Sequence, residues 1–127
     1  MAKEQTIVRS YFTRLHRAPR RPFPANRQRL LCSKKQGVYL IFDPRGRIAH
    51  VGRTTRARAG IFQRLAAHMA GRSSFVIKFL KNQRSSLREG YSFSFVEIAS
   101  PRLRALVEAY STGVLCPRHI GTGAAAA

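Results

Sequence analysis

Apolar positions near the start of the chain recur at helical spacing. Ile7, Val8, Tyr11, Phe12 and Leu15 predict a short amphipathic helix over 5–17. Pro19, Pro22 and Pro24 then fall within six residues of one another, which forbids helix and predicts an extended linker. From Gly37 the pattern becomes regular. Gly37–Phe42 is a β-branched and aromatic run, Asp43-Pro-Arg-Gly46 has turn chemistry, and Arg47–Gly52 reads as the return strand of a hairpin. A basic loop, Thr54 to Gly60, precedes Ile61, Phe62, Leu65 and Met69, whose spacing predicts a helix of about ten residues. Ser73 or Ser74 can cap a second helix that buries Phe75, Val76, Phe79 and Leu80. After a polar loop from Arg84 to Gly90, Tyr91–Val96 alternates with period two and predicts a strand. Pro101 suits the first turn of a last helix, with Leu103, Leu106, Val107, Tyr110 and Val114 as its apolar stripe and Pro117 as its stop. The order β-β-α-α-β-α predicts an α+β domain with a small three-stranded antiparallel sheet flanked by helices. It occupies residues 37–121, after a basic extension over 1–36 made of the short helix and the Pro/Arg-rich linker, and before a low-complexity tail at 122–127.

Composition narrows the function. The 127 residues make one domain, and 44% hydrophobic content is ordinary for a globular chain. Lys plus Arg is 24 against 5 acids, a net charge of +19, which excludes a neutral enzyme of small metabolites and implies a polyanionic partner. Nucleic acid comes first and an anionic membrane second. The membrane reading through 5–17 is the weaker, because basic charge runs along the whole chain rather than along one helix face. Arg outnumbers Lys, as suits bidentate contact with phosphate, although an Arg-favouring codon bias gives the same result. The longest apolar run, Val38–Phe42, is too short for a membrane span or a signal-peptide core, so a cytoplasmic or nucleoid-associated protein is expected. Cys32 and Cys116 stand far apart and offer neither a disulfide framework nor a paired zinc knuckle.

Taken singly, the chemically capable residues all have ordinary readings. Tyr39 fits a core strand, His50 a structural strand position, and Arg64 with His68, four apart, a basic helix face. Glu108 lies roughly 140° around the last helix from Leu103, so it reads as a solvated carboxylate near Arg104. Cys116-Pro-Arg-His119 has metal-ligand residue types but no second pair, and does not read as a zinc site.

Taken as an ordered set, they say more. Gly37-Val-Tyr39, followed by His50-Val-Gly52 and Thr54, then Arg64 and His68 on the first helix after the hairpin, then Glu108 on a late helix, resembles the GIY-YIG nuclease family over residues 37–121. Beside the conservative valine for isoleucine in the first motif, at Val38, His50 stands for the second tyrosine and Ile120 stands where an asparagine is common. The resemblance implies a metal-dependent endonuclease acting on DNA. Glu108 would hold Mg²⁺ or Mn²⁺, Arg64 would neutralise charge on phosphorus, Tyr39 would be the base, and His50 or His68 would relay protons. A free phenol titrates near 10, so neighbouring cations are expected to lower the Tyr39 value and likewise that of His50. Arg20, Arg21, Arg53, Arg56, Arg58 and Arg72 are the candidate contacts to nucleic acid. The alternative is a non-catalytic nucleic-acid-binding protein on the same fold.

Overall fold

The hydrophobic run at Gly37–Phe42 forms the central strand of the structure, a computed structural model that describes residues 3–25, 28–81 and 83–120. Along the chain, α1 (Glu4–Arg17) leads to a two-residue strand β1 (Arg21–Pro22) and the hairpin β2 (Gly37–Phe42) and β3 (Ile48–Arg53). Then come α2 (Gly60–Met69), a π-helical turn (Phe75–Phe79), a 3-10 turn (Arg84–Arg88), β4 (Ser92–Glu97) and α3 (Pro101–Leu115).

The class is α+β, as expected, but the sheet has four antiparallel strands in the order β1-β4-β2-β3 rather than three. The added strand comes from the proline-rich linker. Arg21 pairs with Phe93 and Pro22 with Ser92, the Phe23 amide donates to the Tyr91 carbonyl, and the Phe23 ring packs 5.1 Å from that of Phe93. Proline is tolerated there because an edge strand can spare one N–H. The expected helix after Ser73 is a single π-helical turn, its first turn held by the Val76 amide donating to Ser73 Oγ at 3.2 Å.

All six residues of β2 are buried because helices cover both faces of the sheet. On one face, Tyr39, Ile41 and Phe93 pack with Ile61 and Leu65 of α2, with Phe75 and Val76, and with Phe23 and Leu30 from the linker. On the other, Val38, Leu40, Phe42, Val51 and Val96 pack with Val8 and Leu15 of α1 and Val107 of α3. The basic extension therefore supplies core side chains to both layers, and the apolar face of α1 is spent on packing.

Two local features differ from the sequence pattern. The hairpin return starts at Ile48, because Asp43 draws Arg47 into the turn: its carboxylate accepts from the Arg45 and Arg47 amides at 2.9 Å and from the Arg47 side chain at 2.8 Å. A bulge follows at Ile41/Phe42. In α3, capped by Ser100 accepting from the Leu103 amide, the buried positions are Arg104, Val107 and Ser111, while Tyr110 and Val114 of the expected stripe are exposed. The helix packs through a polar-bordered seam because Arg104 finds enough acceptors to stay inside.

Leu15 has no exposed surface. Leu15→Ala is expected to destabilise the whole chain by about 2–5 kcal/mol, read as a lower urea midpoint. A detachable helix would leave that midpoint unchanged.

Candidate active-site cleft

The segment before β2 and the glycine at the start of α2 decide where α2 lies. α2 has no side-chain cap; its Ile61 and Phe62 amides donate instead to the Lys35 and Ser33 carbonyls. Gly60 makes this docking possible. Its φ is +53°, and a Cβ there would fall 2.1 Å from the Lys35 carbonyl oxygen. Seated in this way, α2 turns Arg64 and His68 toward Tyr39 on β2.

Tyr39 is fully buried and lies over Gly52, its direct cross-strand partner. Its hydroxyl is 2.7 Å from His68 Nε2, and His68 Nδ1 is 2.6 Å from Ser73 Oγ. A neutral imidazole carries one N–H, so protons in this chain point in a common direction. Either Tyr39 donates to His68 and His68 to Ser73, or Ser73 donates to His68 and His68 to Tyr39. His50, paired with Ile41 on β3, points to the same side of the sheet, its ring centroid 5.3 Å from that of His68 and 6.2 Å from that of Tyr39.

These groups line a cleft of about 700 Å³ at the β3 edge, with Arg64 and Arg53 on its wall and Glu108 of α3 across from them. The five expected catalytic residues, Tyr39, His50, Arg64, His68 and Glu108, thus share one site. Of the six expected nucleic-acid contacts, only Arg53 joins it. Arg20 lies over the Phe42 ring at 3.9 Å and Arg21 over Phe95 at 5.3 Å, at or next to the β1 edge. Arg56, Arg58 and Arg72 are exposed on loops after β3 and α2.

The neighbour of Glu108 is not the expected one. Arg104 turns inward and donates to the carbonyls of Thr54, Thr55, Ile98 and Ala99. Glu108 instead pairs with Arg53 at 3.2 Å. Burial raises the Glu108 carboxyl above its ordinary value, with Arg53 and Arg64 opposing the rise. Burial likewise pushes Tyr39 up to about 12, opposed by Arg64, so the phenol is a weaker acid than expected rather than a stronger one. His50 is pushed down to about 3, mainly by burial and then by His119 and Arg64. His68 is lowered by burial, then by His50 and Arg64.

Sequence reasoning missed two residues of the site. In the sequence Ser73 is, with Ser74, only a candidate helix cap. His119 is buried, lines the cleft, and stands with its Nδ1 3.1 Å from His50 Nδ1. Ile120, beside it, is exposed at the cleft rim. Among the described residues, no group of three or more His, Cys, Asp or Glu side chains is arranged to hold a metal ion by itself. No helix among them is long and apolar enough to cross a membrane.

The histidine values fix a pH dependence. A folded value below the unfolded 6.5 means that the unfolded chain binds protons first as pH falls. The stability tied to neutral His50 is therefore complete above about pH 6.5 and is lost as pH drops toward 3. At pH 5 the loss from His50 is about 2 kcal/mol. Urea midpoints at pH 7.5 and 5 should separate accordingly, and His50→Asn should shrink the gap.

In comparisons with known proteins, no family model and no curated protein matches this chain.

Proposed function

We propose that the chain is a metal-dependent endonuclease of the GIY-YIG type that hydrolyses phosphodiester bonds in DNA. The supporting observation is the convergence of Tyr39, His50, Arg64, His68 and Glu108, spread over seventy positions of sequence, on one cleft of a strongly basic chain. Arg64, half-buried on the wall, is suited to donate to a phosphate oxygen and to offset charge as it develops on phosphorus. Tyr39 is the base. With its O–H directed at His68 Nε2, a proton arriving from the attacking water is matched by one leaving to His68. Burial disfavours the resulting imidazolium in the free protein, and the phosphate's negative charge favours it once substrate is bound.

The donor chemistry fits Mg²⁺ or Mn²⁺. Glu108 offers a half-buried carboxylate on the cleft wall, and such ions bind through one or two carboxylates while keeping water and taking substrate phosphate as further ligands. A bound ion would supply Lewis-acid polarisation of a phosphate oxygen. Glu108 must first leave Arg53, which frees that guanidinium for phosphate.

The second reading, a binding protein without turnover, is favoured by the raised Tyr39 value and by the existing Glu108–Arg53 pair. Incubation of the chain with supercoiled plasmid, in Mg²⁺, Mn²⁺ or EDTA, separates the two. Nicking is expected with the metals and not with EDTA; retention of plasmid without nicking would select the binding protein. Glu108→Gln should lower the nicking rate about 10³-fold with DNA binding retained, since it removes the carboxylate and keeps the volume. Tyr39→Phe should cost about 10²-fold or more through loss of the acid–base group.

A further inference from the structure

The meeting of His50 and His119 constrains both rings. Their Nδ1 atoms are 3.1 Å apart in a buried setting, a hydrogen-bond separation. Two lone pairs or two N–H groups would repel at that distance, so one Nδ1 carries a proton and the other accepts it. The pairing is built into the backbone. Cys116 closes α3 in a left-handed conformation, with φ +47°. Beyond Pro117, the Arg118 and His119 amides donate to the Ile48 and Ala49 carbonyls. The chain after α3 therefore runs along the outer edge of β3 and sets His119 beside His50. Phe75 stacks on His50 with centroids 5.0 Å apart and interplanar angle 26°, and also packs 5.5 Å from His119, so neither ring turns freely.

The separation leaves two arrangements: the proton rests on His50 Nδ1 and leaves Nε2 bare, or it rests on His119 Nδ1 and His50 carries its own on Nε2. Arg64, a donor-only cation lining the same cleft, suits a bare ring nitrogen better than an N–H.

We propose that His119 is a positioning residue that holds His50 as its Nδ1–H tautomer, leaving His50 Nε2 as a bare acceptor in the cleft shared with Tyr39 and His68. The consequence for cleavage rests on the nuclease reading; the tautomer does not. As acceptor, Nε2 takes a proton from water; with the tautomer reversed it becomes a donor and cannot.

The test has an arm that needs no activity. In the full chain labelled with ¹⁵N on histidine, at pH 7.5, the expected spectrum has His50 protonated at Nδ1, with unprotonated Nε2. The His119 Nδ1 should be unprotonated and coupled to His50 Nδ1 through the hydrogen bond. Finding His50 protonated at Nε2 overturns the proposal. His119→Asn keeps a side-chain carbonyl acceptor and should preserve both the tautomer and cleavage to within a few-fold. His119→Leu removes the acceptor; it should release the tautomer and lower kcat about ten- to a hundred-fold with KM unchanged. Loss of the tautomer with unchanged kcat would overturn the positioning role. Wild-type protein that shows the paired spectrum yet cuts no nucleic acid would count against the nuclease reading and would support the pairing.

Discussion

Tyr39 and Gly52 face one another across the β2–β3 ladder, and a Cβ at Gly52 would sit 2.4 Å from Tyr39 Cζ and from its hydroxyl. No side chain other than hydrogen lets the ring lie flat there. Because it does, the phenol reaches His68 on α2 while its ring fills the core between sheet and helix. The same contact is structural and chemical at once. It ties β2 to α2 and removes the hydroxyl from bulk water, and the rise of the phenol's pKa is the cost of that removal. Arg64 works against the rise from the cleft wall, where a phosphate would also find it.

The opposite wall depends on a second buried polar group. Arg104, 4% exposed, gathers carbonyls from the loop after β3 and the loop after β4, and so fixes the start of α3 against both. Four donated hydrogen bonds satisfy a charge that would otherwise be costly to bury. Glu108 follows one helical turn later and reaches Arg53 at the end of β3. The sheet edge is thus held between two anchors on α3 and its exit: Arg104 near the helix start, and the backbone pairing of residues 118–119 beyond its end.

The legible parts of the chain are those whose signal is local. The β2 run, the Asp43 turn, the Tyr91–Val96 alternation and the Pro101 start each rest on a few consecutive residues, and the structure has each element within a residue or two of its expected bounds. β1 was illegible because two residues show no period, and a proline counts against a strand unless its edge position is known. Arg104 and His119 were illegible for a different reason. Arginine is ordinarily exposed, and only the meeting of two distant loops gives Arg104 its acceptors. His119 acquires a role only from the β3 edge, and its neighbours in sequence, Cys116 and Pro117, give it none. The site residues at 39, 50, 64, 68 and 108 were gathered by a family resemblance rather than by any periodicity; helix geometry alone paired Glu108 with the wrong arginine.

Charge completes the picture of the cleft. Asp43 holds the hairpin turn against Arg47 and Arg118, Glu4 pairs with Arg102, and Glu97 accepts from Ser33 at 2.6 Å. Those carboxylates are committed elsewhere, and Glu108 is the acid among the residues lining the cleft. A cation approaching it in the free protein meets Arg53 and Arg64 in a chain of net charge +19, and so gains little. A phosphate approaching the same wall is drawn by both guanidinium groups. On the nuclease reading the two ligands therefore favour each other: phosphate offsets the arginines that repel the cation, and the cation frees Arg53 for phosphate by taking its place on Glu108. The coupling is reciprocal by linkage, and it follows from a single carboxylate set among arginines without any movement of the fold.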